Sequence, residues 1–61
     1  MVDAYMQEII DAKKPVKIYT INGFQMVGNI VDDCGNCIIV EHDNKRSIIF
    51  YHAISTIEVK Q

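Results

Sequence analysis

Pro15 constrains this chain more than any other residue, because it separates two hydrophobic periodicities that cannot share one element. Proline lacks a backbone N–H and its ring clashes with the preceding turn, so a helix must end before it. Upstream, Tyr5 and Ile9, and Met6 and Ile10, stand four apart and share one helical face. This spacing predicts an amphipathic helix over 3–14, with Asp3 as N-cap and Lys13 and Lys14 at the negative end of the macrodipole. Its apolar stripe is expected to pack onto a sheet.

Downstream of Pro15 the period changes to two. Val16, Ile18 and Thr20 alternate with Lys17, Tyr19 and Ile21, which predicts a strand over 16–21. Asn22-Gly23 follows as a hairpin turn, since both residue types tolerate positive φ. A second strand is expected over 24–31, with Gly28 allowing a sharp bend or a close backbone approach. The cluster Asp32-Asp33-Cys34-Gly35-Asn36 reads as a solvated turn before a third strand over 37–42. Asp43 to Arg46 makes another turn, and strands over 47–51 and 56–60 complete the chain. The fold class is mainly β: an N-terminal α-helix, then a strongly bent five-stranded antiparallel sheet, an open small barrel, as one domain over 1–61.

Composition enters through size and charge. With 61 residues, 8 acidic and 6 basic side chains, the chain excludes a multidomain enzyme and a strongly basic nucleic-acid binder. No apolar run reaches the ~18 residues of a membrane span, and no signal-peptide pattern opens the sequence, so a cytoplasmic location without membrane partners is expected. Ordering so short a chain costs nearly what its core returns, and the two cysteines could close only a trivially small loop. Oligomerisation is the remaining stabiliser. The last strands are rich in β-branched residues (Ile48, Ile49, Ile54, Thr56, Ile57, Val59), and edges of that kind must be paired or hidden. Pairing opposite edges of successive copies is head-to-tail and closes into rings.

Little in the sequence points to catalysis. There are no paired catalytic carboxylates, no glycine-rich phosphate loop and no Ser/His/Asp set, so a non-enzyme without cofactors is expected. Cys34-Gly35-Asn36-Cys37 is a C-x-x-C, and Cys34 and Cys37 are weak metal candidates with His42 and Asp43 as the further ligands to consider. A small buried role for Cys37 and a turn role for Cys34 are preferred.

The run Tyr19-Thr20-Ile21-Asn22-Gly23-Phe24-Gln25-Met26-Val27-Gly28 resembles the first Sm motif of the Hfq family, the bacterial Sm-like RNA chaperones. Tyr51-His52-Ala53-Ile54-Ser55-Thr56 resembles the second, which usually reads Tyr-Lys-His-Ala-Ile-Ser-Thr. The wording Asn-Gly-Phe-Gln-Met is similar to the Gram-positive branch. The resemblance covers essentially the whole chain and implies an Sm fold, a homohexameric ring, and a role in post-transcriptional regulation and stress response. The implied partners are small regulatory RNA and mRNA.

Two RNA-binding faces are implied. On the distal face, which in the family takes adenine-rich segments, stand Tyr19, Asn22, Gly23, Phe24, Gln25 and Met26. Phe24 and Met26 share a strand face with Gly28 and Ile30, which is also the pattern of a core; the adjacent turn lifts Phe24 to a rim. At the proximal pore, which takes uridine-rich ends, stand Asn36, Phe50, Tyr51 and His52. Tyr51 occupies the place of the family's lysine, Gly35-Asn36 that of its loop aromatic, and Val2 that of its glutamine, so weakened uridine binding is expected. The arginine patch of the outer rim is replaced by Ile10, Asp11 and Lys13, so weak annealing is expected. The alternative is an Sm-like ring or hetero-assembly subunit with little RNA binding of its own.

Overall fold

In the computed structural model, which describes residues 4–60, Pro15 opens the sheet rather than merely stopping the helix. Helix α1 spans Ala4–Asp11, shorter than the expected 3–14, and Asp3 lies outside the described residues. Its end is set by the backbone. Lys13 N–H donates to the Ile10 carbonyl and Lys14 N–H to the Ile9 carbonyl, both at 3.1 Å. Lys13 itself takes φ 54, so the last N–H groups fold back on the final turn in a Schellman closure. Asn29 Nδ2 then donates to the Lys13 carbonyl at 3.0 Å, fastening this corner to the sheet.

A left-handed conformation costs lysine roughly 1–2 kcal/mol relative to glycine, and glycine's extra freedom in the unfolded chain offsets about half of that. Lys13→Gly is therefore expected to gain about 0.5–1 kcal/mol. The denaturation midpoint, compared at fixed protein concentration, should rise; a lowered midpoint contradicts the assignment.

Five strands follow: β1 Pro15–Thr20, β2 Gln25–Asp33, β3 Cys37–His42, β4 Lys45–Phe50 and β5 Ile54–Val59, with a 3₁₀ turn Tyr51–Ala53 before the last. They form one antiparallel sheet in the order β4-β3-β2-β1-β5, so β4 and β5 are its two edges. Strand β2 is longer than expected because the register shifts between Ile30 and Asp32, letting Asp32 and Asp33 pair with Ile39 and Ile38. Such a shift bends the strand and raises its twist. A second shift, between Tyr19 and Thr20, starts β5 at Ile54 rather than at 56.

The turns also differ from expectation. Asp43 and Asn44 both take positive φ, 51 and 62, and connect His42 to Lys45 directly. This is the two-residue type I′ geometry, so Lys45 and Arg46 belong to β4 rather than to the turn. At Asn22-Gly23 only Gly23 is left-handed, at φ 95. Gly23 N–H donates to the Thr20 carbonyl at 3.1 Å, and Thr20 N–H donates to the Phe24 carbonyl at 2.9 Å. The loop is thus three residues long, a turn followed by one left-handed glycine.

The core is aliphatic. Val16 and Ile18 of β1, Ile30 of β2, Ile38 and Val40 of β3, and Ile9 of α1 are buried together. Met6 and Ile10 pack against this cluster, whereas Tyr5 is 53% exposed, so the helix stripe centres on Ile9 rather than on the Tyr5–Ile9 pair. No helix among the described residues is long and apolar enough to cross a membrane.

Candidate nucleic-acid interface

The β1–β2 loop carries the first group of residues. Phe24 lies just beyond the last β1–β2 pair, Tyr19 with Gln25, and its side chain is 73% exposed. Its N–H donates to Thr20 Oγ1 at 3.0 Å, and the Thr20 hydroxyl also reaches Asn22 Oδ1 in a short contact. Thr20 therefore holds the loop that presents Asn22, Gly23 and Phe24, a role the sequence reading did not assign. The signal was a hydroxyl residue opening a turn, which commonly bonds the backbone just ahead.

Tyr19 is half-buried and flanked by charge. The Lys17 ammonium lies 5.3 Å from the centre of its ring, and its hydroxyl sits 3.4 Å from Glu58 Oε1. Lys17 and Glu58 are paired across β1 and β5, so this arrangement follows from register. Met26 pairs with Ile18 and packs against the core while also lining the depression next to Phe24. The core alternative thus describes Met26 in part and Phe24 not at all.

The second group gathers where β3 and β4 meet the 3₁₀ turn. Tyr51 N–H donates to the Asn36 carbonyl at 3.0 Å, and Phe50 stacks on His52 with ring centres 5.7 Å apart and planes 14° from parallel. Asn36, Phe50, Tyr51 and His52 are thereby brought together. The Tyr51 hydroxyl donates to Asp33 Oδ2 at 2.7 Å, and Asp33 Oδ1 accepts from Gly35 N–H at 2.9 Å. Asp33 is accordingly an anchoring residue and not part of a solvated turn. The Tyr51 hydroxyl, which could have been offered to RNA, points to Asp33.

Desolvation, the Asp33 hydrogen bond and charge, and nearby Cys37 all push the Tyr51 ionisation well above the ordinary tyrosine range. Tyr51 therefore brings no charge to this end of the protein at neutral pH. Because the folded form favours neutral Tyr51, its contribution to stability is complete below about pH 10, where unfolded tyrosine ionises, and declines above it. The melting temperature of wild type is expected to fall more steeply above that pH than that of Tyr51→Phe. Parallel alkaline profiles would remove the Tyr51–Asp33 pair from the account.

Cys34 is exposed on the turn between β2 and β3, and Cys37 is buried at the start of β3, both as free thiols. Desolvation, the hydrogen bond and charge of Cys37, and the charges of Asp32 and Asp33 push the Cys34 thiol up. That disfavours the thiolate which metal binding or redox exchange requires. His42 and Asp43 lie at the opposite end of β3, and the described residues contain no group of three His, Cys, Asp or Glu able to share a metal.

Comparison with known proteins decides the family. Residues 1–61 match the family described as Hfq protein. The chain belongs to the Hfq family. The RNA-binding protein Hfq of Syntrophomonas wolfei subsp. wolfei is 34% identical over 55 residues, covering 90% of this chain and 67% of that one. The RNA-binding protein Hfq of Desulforamulus reducens is 38% identical over 55 residues, covering 90% and 69%. A crystal structure of the pleiotropic translational regulator Hfq superposes with a TM-score of 0.84 at 30% identity, covering 87% of this chain and 88% of that one. The helix and five antiparallel strands are therefore an Hfq-type Sm fold, as the two motifs implied.

Proposed function

We infer that the chain is an RNA-binding Sm-like ring protein acting in post-transcriptional regulation in the cytoplasm. Adenine- and purine-rich segments of mRNA and small regulatory RNA bind the face that carries Tyr19, Asn22, Gly23, Phe24, Gln25 and Met26. The observation that carries this reading is Phe24, a large aromatic ring left 73% exposed beside a half-buried tyrosine and two amide side chains. Aromatic faces stack bases and amides read their edges, and neither requires a basic surface, which suits a net charge of −2.

Uridine-rich binding at Asn36, Phe50, Tyr51 and His52 is weak, because the residue in the place of the family's lysine is a neutral tyrosine bonded to Asp33. Annealing at the rim is weak as well, since Lys13 stands beside Asp11 and Ile10 without an arginine.

The ring itself follows from the two edges. Strands β4 and β5 end the sheet on opposite sides, and Ile48 of β4 is 63% exposed. Pairing β4 of one copy with β5 of the next hides both edges, and six copies, the number the family resemblance implies, close the ring. A native mass of six chains is expected; a stably folded single chain would remove the shared sites. Titration of the ring with adenine-rich and uridine-rich oligonucleotides tests the RNA reading. Tight adenine-rich and poor uridine-rich binding supports it, and binding to neither leaves an assembly subunit with little RNA affinity.

A further inference from the structure

The C-x-x-C motif closes the hairpin between β2 and β3. Asp33 and Ile38 are register partners, so Cys34 and Cys37 face each other across the two-residue turn Gly35-Asn36. Cys34 N–H donates to the Cys37 carbonyl at 2.9 Å, which fixes that opposition. Opposed residues of an antiparallel pair hold their Cα atoms roughly 4.5–5.5 Å apart, within the span of about 4.4–6.8 Å that a disulfide bridges. The two thiols already share a hydrogen bond.

The environments of the two sulfurs differ. Cys34 is exposed, and a Cβ placed on Gly35 would meet nothing within 4 Å beyond its chain neighbours, so the turn is open to a small reagent. Cys37 is only 8% exposed, so a reagent meets Cys34 first. This is the pairing of an attacking with a resolving cysteine. Desolvation, Cys37 and the charges of Asp32 and Asp33 push the Cys34 thiol up, so the thiolate fraction at neutral pH is small. A thiolate of raised pKa is the stronger nucleophile, which recovers part of that rate. The two aspartates also favour a cationic reagent over an anionic one. A metal fits less well: two sulfurs leave a zinc ion short of two ligands, and the described residues supply no third.

We propose that Cys34 and Cys37 form a reversible dithiol–disulfide site whose substrate is a low-molecular-weight disulfide. Cys34 gives its proton to solvent, and its thiolate attacks one sulfur of that disulfide. The small S–S bond breaks, and the first small thiolate leaves and takes a proton from solvent. Cys37 loses its proton in the same way and attacks Cys34 Sγ, breaking the mixed disulfide and expelling the second small thiolate, which is protonated in turn. Two protein thiols are thus oxidised and one small disulfide is reduced to two thiols. This activity goes beyond RNA binding and does not depend on it.

The test adds cystamine, a disulfide bearing two amines, to the assembled wild-type protein. Intact mass should show a chain lighter by two hydrogens with no retained cysteamine, running as a single chain on a denaturing non-reducing gel. Dithiothreitol should restore both thiols. Cys37→Ser should stop with one cysteamine on Cys34, and Cys34→Ser should react about tenfold or more slowly than wild type, because Cys37 is buried. Since Cys37→Ser alters a buried position, a second measurement uses wild type alone. In a dithiothreitol redox buffer the ratio of disulfide to dithiol should be about tenfold or more higher in the native protein than in the guanidinium-unfolded chain, because the hairpin holds the sulfurs together. A wild-type product that keeps cysteamine or links two chains overturns the proposal. So does a native ratio no higher than the unfolded one, or Cys34→Ser reacting at the wild-type rate.

Discussion

Gly28→Ala is expected to prevent the chain from folding. The added Cβ would run into the Glu41 backbone carbonyl, with Val40 Cγ1 and His42 Cβ each 3.1 Å away. A flexible side chain could swing aside, but a backbone carbonyl of β3 cannot move without moving the strand. Asn29 and Glu41 are register partners immediately next to the clash, and Gly28 itself faces buried Val16 across β1–β2. Separating the strands would strip the contacts of Ile30, Ile38 and Val40 in one step. Overpacking of this kind costs about 3 kcal/mol or more, a large share of what a small domain possesses. Far-UV circular dichroism and denaturant titration measure it; a variant with wild-type midpoint would mean that the two strands do not approach so closely.

Phe24→Ala should have the largest effect on binding without affecting the fold. Stacking of one base on an aromatic ring is worth ~1–3 kcal/mol, roughly 5- to 150-fold in affinity. In a ring the site recurs in every copy, so one continuous strand loses several such contacts together and the losses compound. Binding of adenine-rich RNA at micromolar protein is expected to disappear. Stability should change little, because the side chain is 73% exposed and contributes no buried contact to the aliphatic core. Fluorescence anisotropy with oligoadenylate, run alongside thermal melts, separates the two effects. Retained affinity would move the RNA site away from this loop.

These two residues were legible to different degrees. Gly28 stood out as a glycine inside a strand pattern, and the close approach it permits was one of the two expected reasons. Phe24 was ambiguous, because two-residue alternation puts it in line with Met26, Gly28 and Ile30. Its exposure depends on where β1 stops pairing, after Tyr19 with Gln25, and alternation does not encode that stop. Asp33 was misplaced for a related reason. The register shift after Ile30 extends β2 through Asp33, and only then does its carboxylate meet a tyrosine 18 positions away.

The sequence by itself determined the helix before Pro15, the order of five strands, the edge character of the last two, and the family, through strings of consecutive residues. These depend on local periodicity, turn chemistry and contiguous motifs, which neighbouring residues settle among themselves. Tertiary structure alone decided which turn is type I′, that Tyr51 is bonded to Asp33, and that Asp43 stands beside Phe24. Each is a consequence of strand register and bulges, where a one-residue shift redirects every side chain beyond it.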